Sequence, residues 1–402
     1  MKLPLDEFRD RVMANTDLQS ALIAEREMNK FCDRVLHHAA CFGIGVARPD
    51  IDIPPDPAGI LSLLPTPANG LTWPPADWLP VGLMENTNGQ IVTWHCFDGI
   101  PTDTPFFYDA AAAARARPFN RTLNYRMPLT AMMETAPHLP QPAGLIFHLS
   151  RCGSTLVHRM LSASNAVTSL SEVPIFDEAV QFCLNWHGPL EVKHKVLRTI
   201  IAGLSNAANR WPLVLKLDSW HTLSWPLILG AFPDTPAIFL YREPAEILVS
   251  QQRMRGIQAI PSPLIAALCG IADCGTLSLD EYCAHYLAVS CRAAADAARA
   301  KAVRVINYKR LPRAVFDEIL PHFGLQTDAA ADDRMRNVAG FHSKSPNECY
   351  VPDSEEKNRA ASGGLRTLAE QIVGPSYRML ESLAGRSSPA AGELRQEFDP
   401  AD

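Results

Sequence analysis

Residues 144–164 read GLIFHLSRCGSTLVHRMLSAS: an apolar run over 144–149, a short polar turn and an amphipathic stretch. This is the order strand, tight turn, helix. Further apolar runs follow at LVLKL (213–217), AIFLY (237–241) and VRVINY (303–308). Helical patterns fill the spaces, at Ser154–Ser164, Pro244–Met254, Leu279–Ala302 and Pro312–Phe323. Short apolar runs alternating with amphipathic helices predict an α/β fold, a parallel sheet with helices on both faces. Ligands of such sheets sit beyond the carboxyl ends of the strands, so the chemistry is sought at the strand exits.

The rest of the 402 residues is ordinary in composition. Hydrophobic residues make up 47%, and 37 Lys and Arg against 43 Asp and Glu leave a formal charge of −6. That excludes long disorder, a collagen or coiled-coil rod and a purely electrostatic nucleic-acid binder. Ten cysteines occur without a CxxC pair, which points to reduced thiols in a cytoplasmic protein rather than a zinc ribbon. The N-terminus MKLPLDEFRDRV has no apolar core for a secretory signal. The fairly apolar stretch Pro261–Leu279 is too weak for a membrane span. Neither nucleic acid nor membrane is expected as a partner.

Residues 5–47 carry helical spacing. A proline-rich stretch up to Pro80 is read as an ordered wrapping segment, with IVTWHC (91–96) as a strand and 109–117 as a short helix. The expected division is an N-terminal extension over 1–135, the α/β domain over 140–385 and a flexible tail over 386–402.

At the first exit stand Ser150, Arg151, Cys152, Gly153, Ser154 and Thr155. Gly153 permits a sharp turn and close backbone approach. The first helix amides and the Ser154 and Thr155 hydroxyls are donors suited to a phosphate. The plainer reading is a βα turn with a serine cap. A Walker loop needs glycine where His148 stands and lysine where Ser154 stands, so it is absent. At the exit of 237–241, Arg242 ends the strand, Pro244 opens a helix and Ser250 follows two turns on. Arg and hydroxyl there can converge on one phosphate. Alternatively, Arg242 pairs with Glu243 or Glu246.

Together these two motifs resemble those of the sulfotransferase family, whose donor is 3′-phosphoadenosine 5′-phosphosulfate. That family's loop reads roughly P-K-S-G-T-T-W. Here Arg151 falls at the lysine, and Gly153, Ser154 and Thr155 match. Its second motif, Arg-x-Pro-x-x-x-x-x-Ser, is matched by Arg242, Pro244 and Ser250. The resemblance implies a P-loop-like sulfotransferase fold over about 140–380. It places the 5′-phosphosulfate on Arg151, Cys152, Gly153, Ser154 and Thr155, and the 3′-phosphate on Arg242 and Ser250.

Sulfuryl transfer needs a base for the acceptor proton and a cation at the leaving oxygen. Glu172, in SEVPIFD, resembles the base of the heparan-type enzymes and ranks first. Asp218 stands in VLKLDSWH where cytosolic members carry histidine, with His221 three residues on; both are further candidates. Lys216 is the candidate transition-state cation. The family's C-terminal basic loop has no clean counterpart, and Lys344, in a segment that also holds Lys357 and Arg359, is the nearest. No metal is expected. The acceptor is a small molecule, carbohydrate or peptide with a hydroxyl or amine. A P-loop kinase and a non-catalytic binding protein of the same fold remain the rival readings.

Overall fold

The protein is described by a computed structural model covering residues 3–54, 68–75, 77–87, 89–137, 141–205, 212–271, 274–342, 345–349 and 353–384. The centre of the proline-rich segment, Lys344 and the expected tail lie outside these residues.

The N-terminal region opens with three helices, Pro4–Met13, Thr16–Ile23 and Met28–Cys41. The helical spacing of 5–47 is thus broken twice. At the first break the Asn15 side chain accepts the Leu18 amide and caps a new helix. An antiparallel sheet follows, made of β1 (Trp78–Asn86), β2 (Gly89–Cys96) and β3 (Tyr125–Pro128) in the order β1-β2-β3. Pro80 and Pro128 fall on its two edge strands, where a missing amide is tolerated. The register shifts between Pro80 and Gly82. The helix expected at 109–117 runs Phe107–Ala116.

The second sheet is the expected one. Its strands are β4 (Gly144–His148), β5 (Thr168–Ser171), β6 (Leu213–Lys216), β7 (Ala237–Tyr241) and β8 (Arg304–Asn307). They pair in parallel in the order β5-β6-β4-β7-β8, and helices flank both faces. Every residue of β4, β6 and β7 is buried, which is why these strands read as unbroken apolar runs. Strand β5 does not: Thr-Ser-Leu-Ser is polar by composition. Its hydroxyls are satisfied internally, with Ser171 donating to Pro105 O at 2.9 Å and Ser169 paired with His158 at 2.8 Å. The expected helix over 312–323 is a π-helical turn, Val315–Ile319, followed by Leu320–His322. Pro321 has no amide to give to the preceding turn, which disfavours a regular helix there.

From β4 the chain leaves towards β5, and from β6 it crosses back over β4 to β7. The connections therefore diverge beside β4, and a crevice opens at its carboxyl end. The two regions share one hydrophobic core. They are also tied by Glu178, which accepts the Leu83 amide of β1 at 2.5 Å. Burial pushes the Glu178 carboxyl up to about 7. Among the described residues no helix is long and apolar enough to cross a membrane.

Candidate active site

The crevice beyond β4 holds a cavity of about 420 Å³, within the range of small-ligand sites. Its wall contains Arg151, Cys152, Gly153, Ser154, Thr155, Glu172, Asp218, Arg242 and Ser250. Thus the two strand-exit motifs, nearly a hundred residues apart, meet in one pocket. A larger depression of about 900 Å³, against residues 68–75, has Asp6 and Asp10 but no lysine or arginine among its described lining residues.

Gly153 lies at φ +88° and starts the helix Ser154–Ser164. A Cβ there would come within 2.8 Å of the Tyr308 ring and 2.9 Å of Leu311. The turn therefore needs glycine for both conformation and space. Arg151 precedes it at φ +64° and donates to Met254 O, tying the turn to the segment after the helix Pro244–Arg253. Ser150 accepts from Gln251 at 3.0 Å, a second tie of the same kind. Ser154 and Thr155 occupy the first helical turn, and the amides of Leu156 and Val157 return to Gly153 O. Cys152 is fully buried, and burial pushes its thiol up to about 12. A helix N-terminus can lower a thiol's pKa, but here desolvation wins. Cys152 is a small buried side chain beneath the turn, and iodoacetamide at pH 8 should leave it unmodified in the folded protein, as peptide mass mapping would show.

Behind Glu172, Lys216 ends β6 with its side chain completely enclosed, and it is not among the residues that line the cavity. Its Nζ donates to the Glu172 carboxylate and to Ser171 Oγ at 3.1 Å. It also faces the Phe106 ring at 5.3 Å. Glu172 sits just beyond β5 at φ +50°, held there by its amide's bond to Lys216 O at 2.8 Å. A non-glycine residue in the left-handed region costs on the order of 1–3 kcal/mol. Arg151 and Glu172 both bear that cost, and both line the pocket. His148 lies 3.7 Å from Glu172 and contacts the carbonyls of Leu149 and Leu217. Burial, then Lys216, pushes its imidazole down to about 4, so it is a neutral ring packed beneath the acid.

Asp218 also lines the pocket. Burial drives its carboxyl up to about 7; His221 opposes the shift, and Glu172 and Asp177 add to it. His221 does not reach the cavity. Its Nδ1 accepts the Asp218 amide at 3.3 Å, its Nε2 donates to Asp177 Oδ1 at 3.0 Å, and it packs edge-on against Trp220 and Phe176. Asp177 also accepts from Trp220 and Gln181. Burial raises the Asp177 carboxyl, but these donors outweigh it and hold it below its ordinary value. Asp177, Asp218 and His221 offer ligand atoms within 4.8 Å of one another, the spacing of a metal cluster. Here Asp177 and His221 spend theirs on hydrogen bonds.

Arg242 is almost fully buried and stacks over the Tyr308 ring at 4.0 Å. Its Nε donates to Glu246 at 2.6 Å and its Nη2 to Asp353 at 2.6 Å. The pairing with Glu246 is the plainer of the two readings available from sequence; Asp353 was not foreseen. Asp353 and Lys357 bring the C-terminal segment to the pocket wall. Lys357 lies in the polar segment 341–359, where spacing gives no reason to prefer it over Lys344 or Arg359. Tyr308, at the exit of β8, also lines the pocket, a role that the apolar run 303–308 does not signal.

No protein-family profile matches the chain, and no curated protein matches it. Among solved structures it is similar to three bacterial sulfotransferases. One is STF1 from Mycobacterium tuberculosis, 16% identical over 50% of this chain and 71% of that one, TM-score 0.31. Another is STF9 from Mycobacterium avium, 14% identical over 57% and 77%, TM-score 0.36. The third is from Alicyclobacillus acidocaldarius, 16% identical over 62% and 98%, TM-score 0.35. Likenesses this remote bear on neither substrate nor chemistry.

Proposed function

We propose that the protein is a sulfotransferase that moves a sulfuryl group from 3′-phosphoadenosine 5′-phosphosulfate to a hydroxyl or amine of a small-molecule, carbohydrate or peptide acceptor. The observation that carries the reading is the convergence of the Arg151–Thr155 turn and the Arg242–Ser250 pair on one pocket, with Glu172 in the same wall and Lys216 bonded to it from behind. The residues suit the donor. Ser154 and Thr155, in the first turn of a helix, line the pocket together with the buried Arg242 guanidinium. The donor supplies an activated sulfuryl group on a phosphate leaving group.

The chain's own residues have separable tasks in this reading. Arg151, Ser154, Thr155 and the helix amides hold the phosphosulfate. Lys216 offers its ammonium to the oxygen that gains charge as the bond to sulfur breaks. Glu172 accepts the acceptor's proton. Its bond to Lys216 fixes the carboxylate's position beforehand, and positioning of this kind lowers the barrier. Arg242 and Ser250 address the ribose 3′-phosphate.

Ligand choice tests the reading against a kinase. By calorimetry, adenosine 3′,5′-bisphosphate should bind at least about tenfold more tightly than ATP with Mg²⁺. The turn lacks the Walker lysine, whose charged contact is worth about 1.5–3 kcal/mol. The opposite order would make the protein a nucleoside-triphosphate enzyme.

A further inference from the structure

Arg242 and Lys357 are two nearly buried cations in one wall of the pocket, 4% and 7% exposed. A single carboxylate bridges them. Asp353 places Oδ1 2.6 Å from Arg242 Nη2 and Oδ2 2.5 Å from Lys357 Nζ. One oxygen to each cation is also how a phosphate group would sit there. Burial lowers Lys357 from its ordinary value, and Asp353 works against that shift.

The other carboxylate on Arg242 is different in kind. Glu246 is 2% exposed and takes bonds from Arg242 Nε, Ser354 Oγ at 3.0 Å and Asn358 Nδ2 at 3.2 Å. It is a fixed counter-ion that aims the guanidinium. Asp353 is 36% exposed along its side chain. It also stands at the cap position of the helix Ser354–Ala360 without capping it. An aspartate there ordinarily accepts a helix amide. This one spends its oxygens on the two cations, so it can swing away without stripping the helix of a cap.

We propose that Asp353 is an internal anion that competes with an incoming phosphate group for Arg242 and Lys357. With Asp353 in place the charges of Arg242, Lys357, Glu246 and Asp353 cancel. With it displaced, the remaining three carry one net positive charge, which favours an incoming anion. A ligand without a phosphate at this position gains nothing by displacing the carboxylate. A ligand with one must overcome it, and the carboxylate reclaims the cations when that ligand leaves. Asp353 thus trades affinity for faster release. That the phosphate is a ribose 3′-phosphate rests on the function proposed above; the competition itself requires only a phosphate group.

The test is calorimetry with adenosine 3′,5′-bisphosphate, AMP and inorganic pyrophosphate on the full chain and on Asp353→Asn, Asp353→Ser and Lys357→Gln, with thermal melting of each. Both Asp353 variants should bind the bisphosphate about tenfold more tightly, the equivalent of one charge-assisted contact, with slower dissociation in stopped flow. AMP should change by less than about twofold, and Lys357→Gln should weaken the bisphosphate about tenfold. Unchanged or weaker binding of the bisphosphate by folded Asp353 variants overturns the proposal. So does failure of both variants to fold, which would make Asp353 a structural ion-pair partner. If the bisphosphate binds no variant while pyrophosphate binds the Asp353 variants more tightly, the competition stands and the sulfotransferase reading falls.

Discussion

Glu172→Gln lowers turnover by about a hundredfold or more while leaving the affinity for adenosine 3′,5′-bisphosphate nearly unchanged, the pattern expected when a general base is lost. Glutamine keeps the volume and can still accept from Lys216, so the short contact between them survives in form. What disappears is a group able to take the acceptor's proton. Asp218 is the competitor, because burial holds its carboxyl at about 7, where a base is well poised. A base must be unprotonated to act, so activity falls as pH drops through its pKa. If Asp218 were the base, kcat/KM would fall below about pH 7, and Asp218→Asn would abolish both activity and that limb. An active Glu172→Gln enzyme with a dead Asp218→Asn would reassign the proton to Asp218. The readout is kcat and KM with labelled donor and an acceptor panel, across pH.

The sheet and the first half of the site were legible because they rest on local rules. Apolar runs such as 144–149 and 237–241 are strands buried on both faces, and the turn around Gly153 is dictated by its own residues. What stayed hidden depends on partners far off in the chain. Strand β5 is polar by composition and is buried only because Pro105, His158 and Lys216 answer its hydroxyls. Strand β1 was masked by its proline, which an edge position tolerates. His221 looked like a base from its spacing to Lys216, yet its ring is turned away into bonds with Asp177 and the Asp218 amide. Asp353 reaches Arg242 across 111 positions of sequence, and no periodicity reports such a contact.

Arg242→Ala weakens adenosine 3′,5′-bisphosphate binding by roughly ten- to a hundredfold and barely alters AMP, as expected for the loss of a bidentate charged contact. The difference between the two ligands is the 3′-phosphate, so the comparison isolates the group that Arg242 is assigned to hold. It also guards against a misfolded variant, which would lose both. That guard is needed, because Arg242 is 4% exposed and removing it leaves Glu246 with Ser354 and Asn358 as its remaining partners. A buried carboxylate deprived of its cation is costly, and the variant will melt lower. Arg242→Lys separates the two effects. It returns a charge to Glu246 but not the planar fork, so stability recovers more than affinity does. Ser250→Ala acts in the same direction as Arg242→Ala and less strongly, as a neutral donor. Because Asp353 sits on the same guanidinium at 2.6 Å, the energetics of Arg242→Ala and Asp353→Asn will not add, and a double-mutant cycle measures the coupling. Equal losses for both ligands, or no loss for either, would leave Arg242 as the structural partner of Glu246 and Asp353 and nothing more.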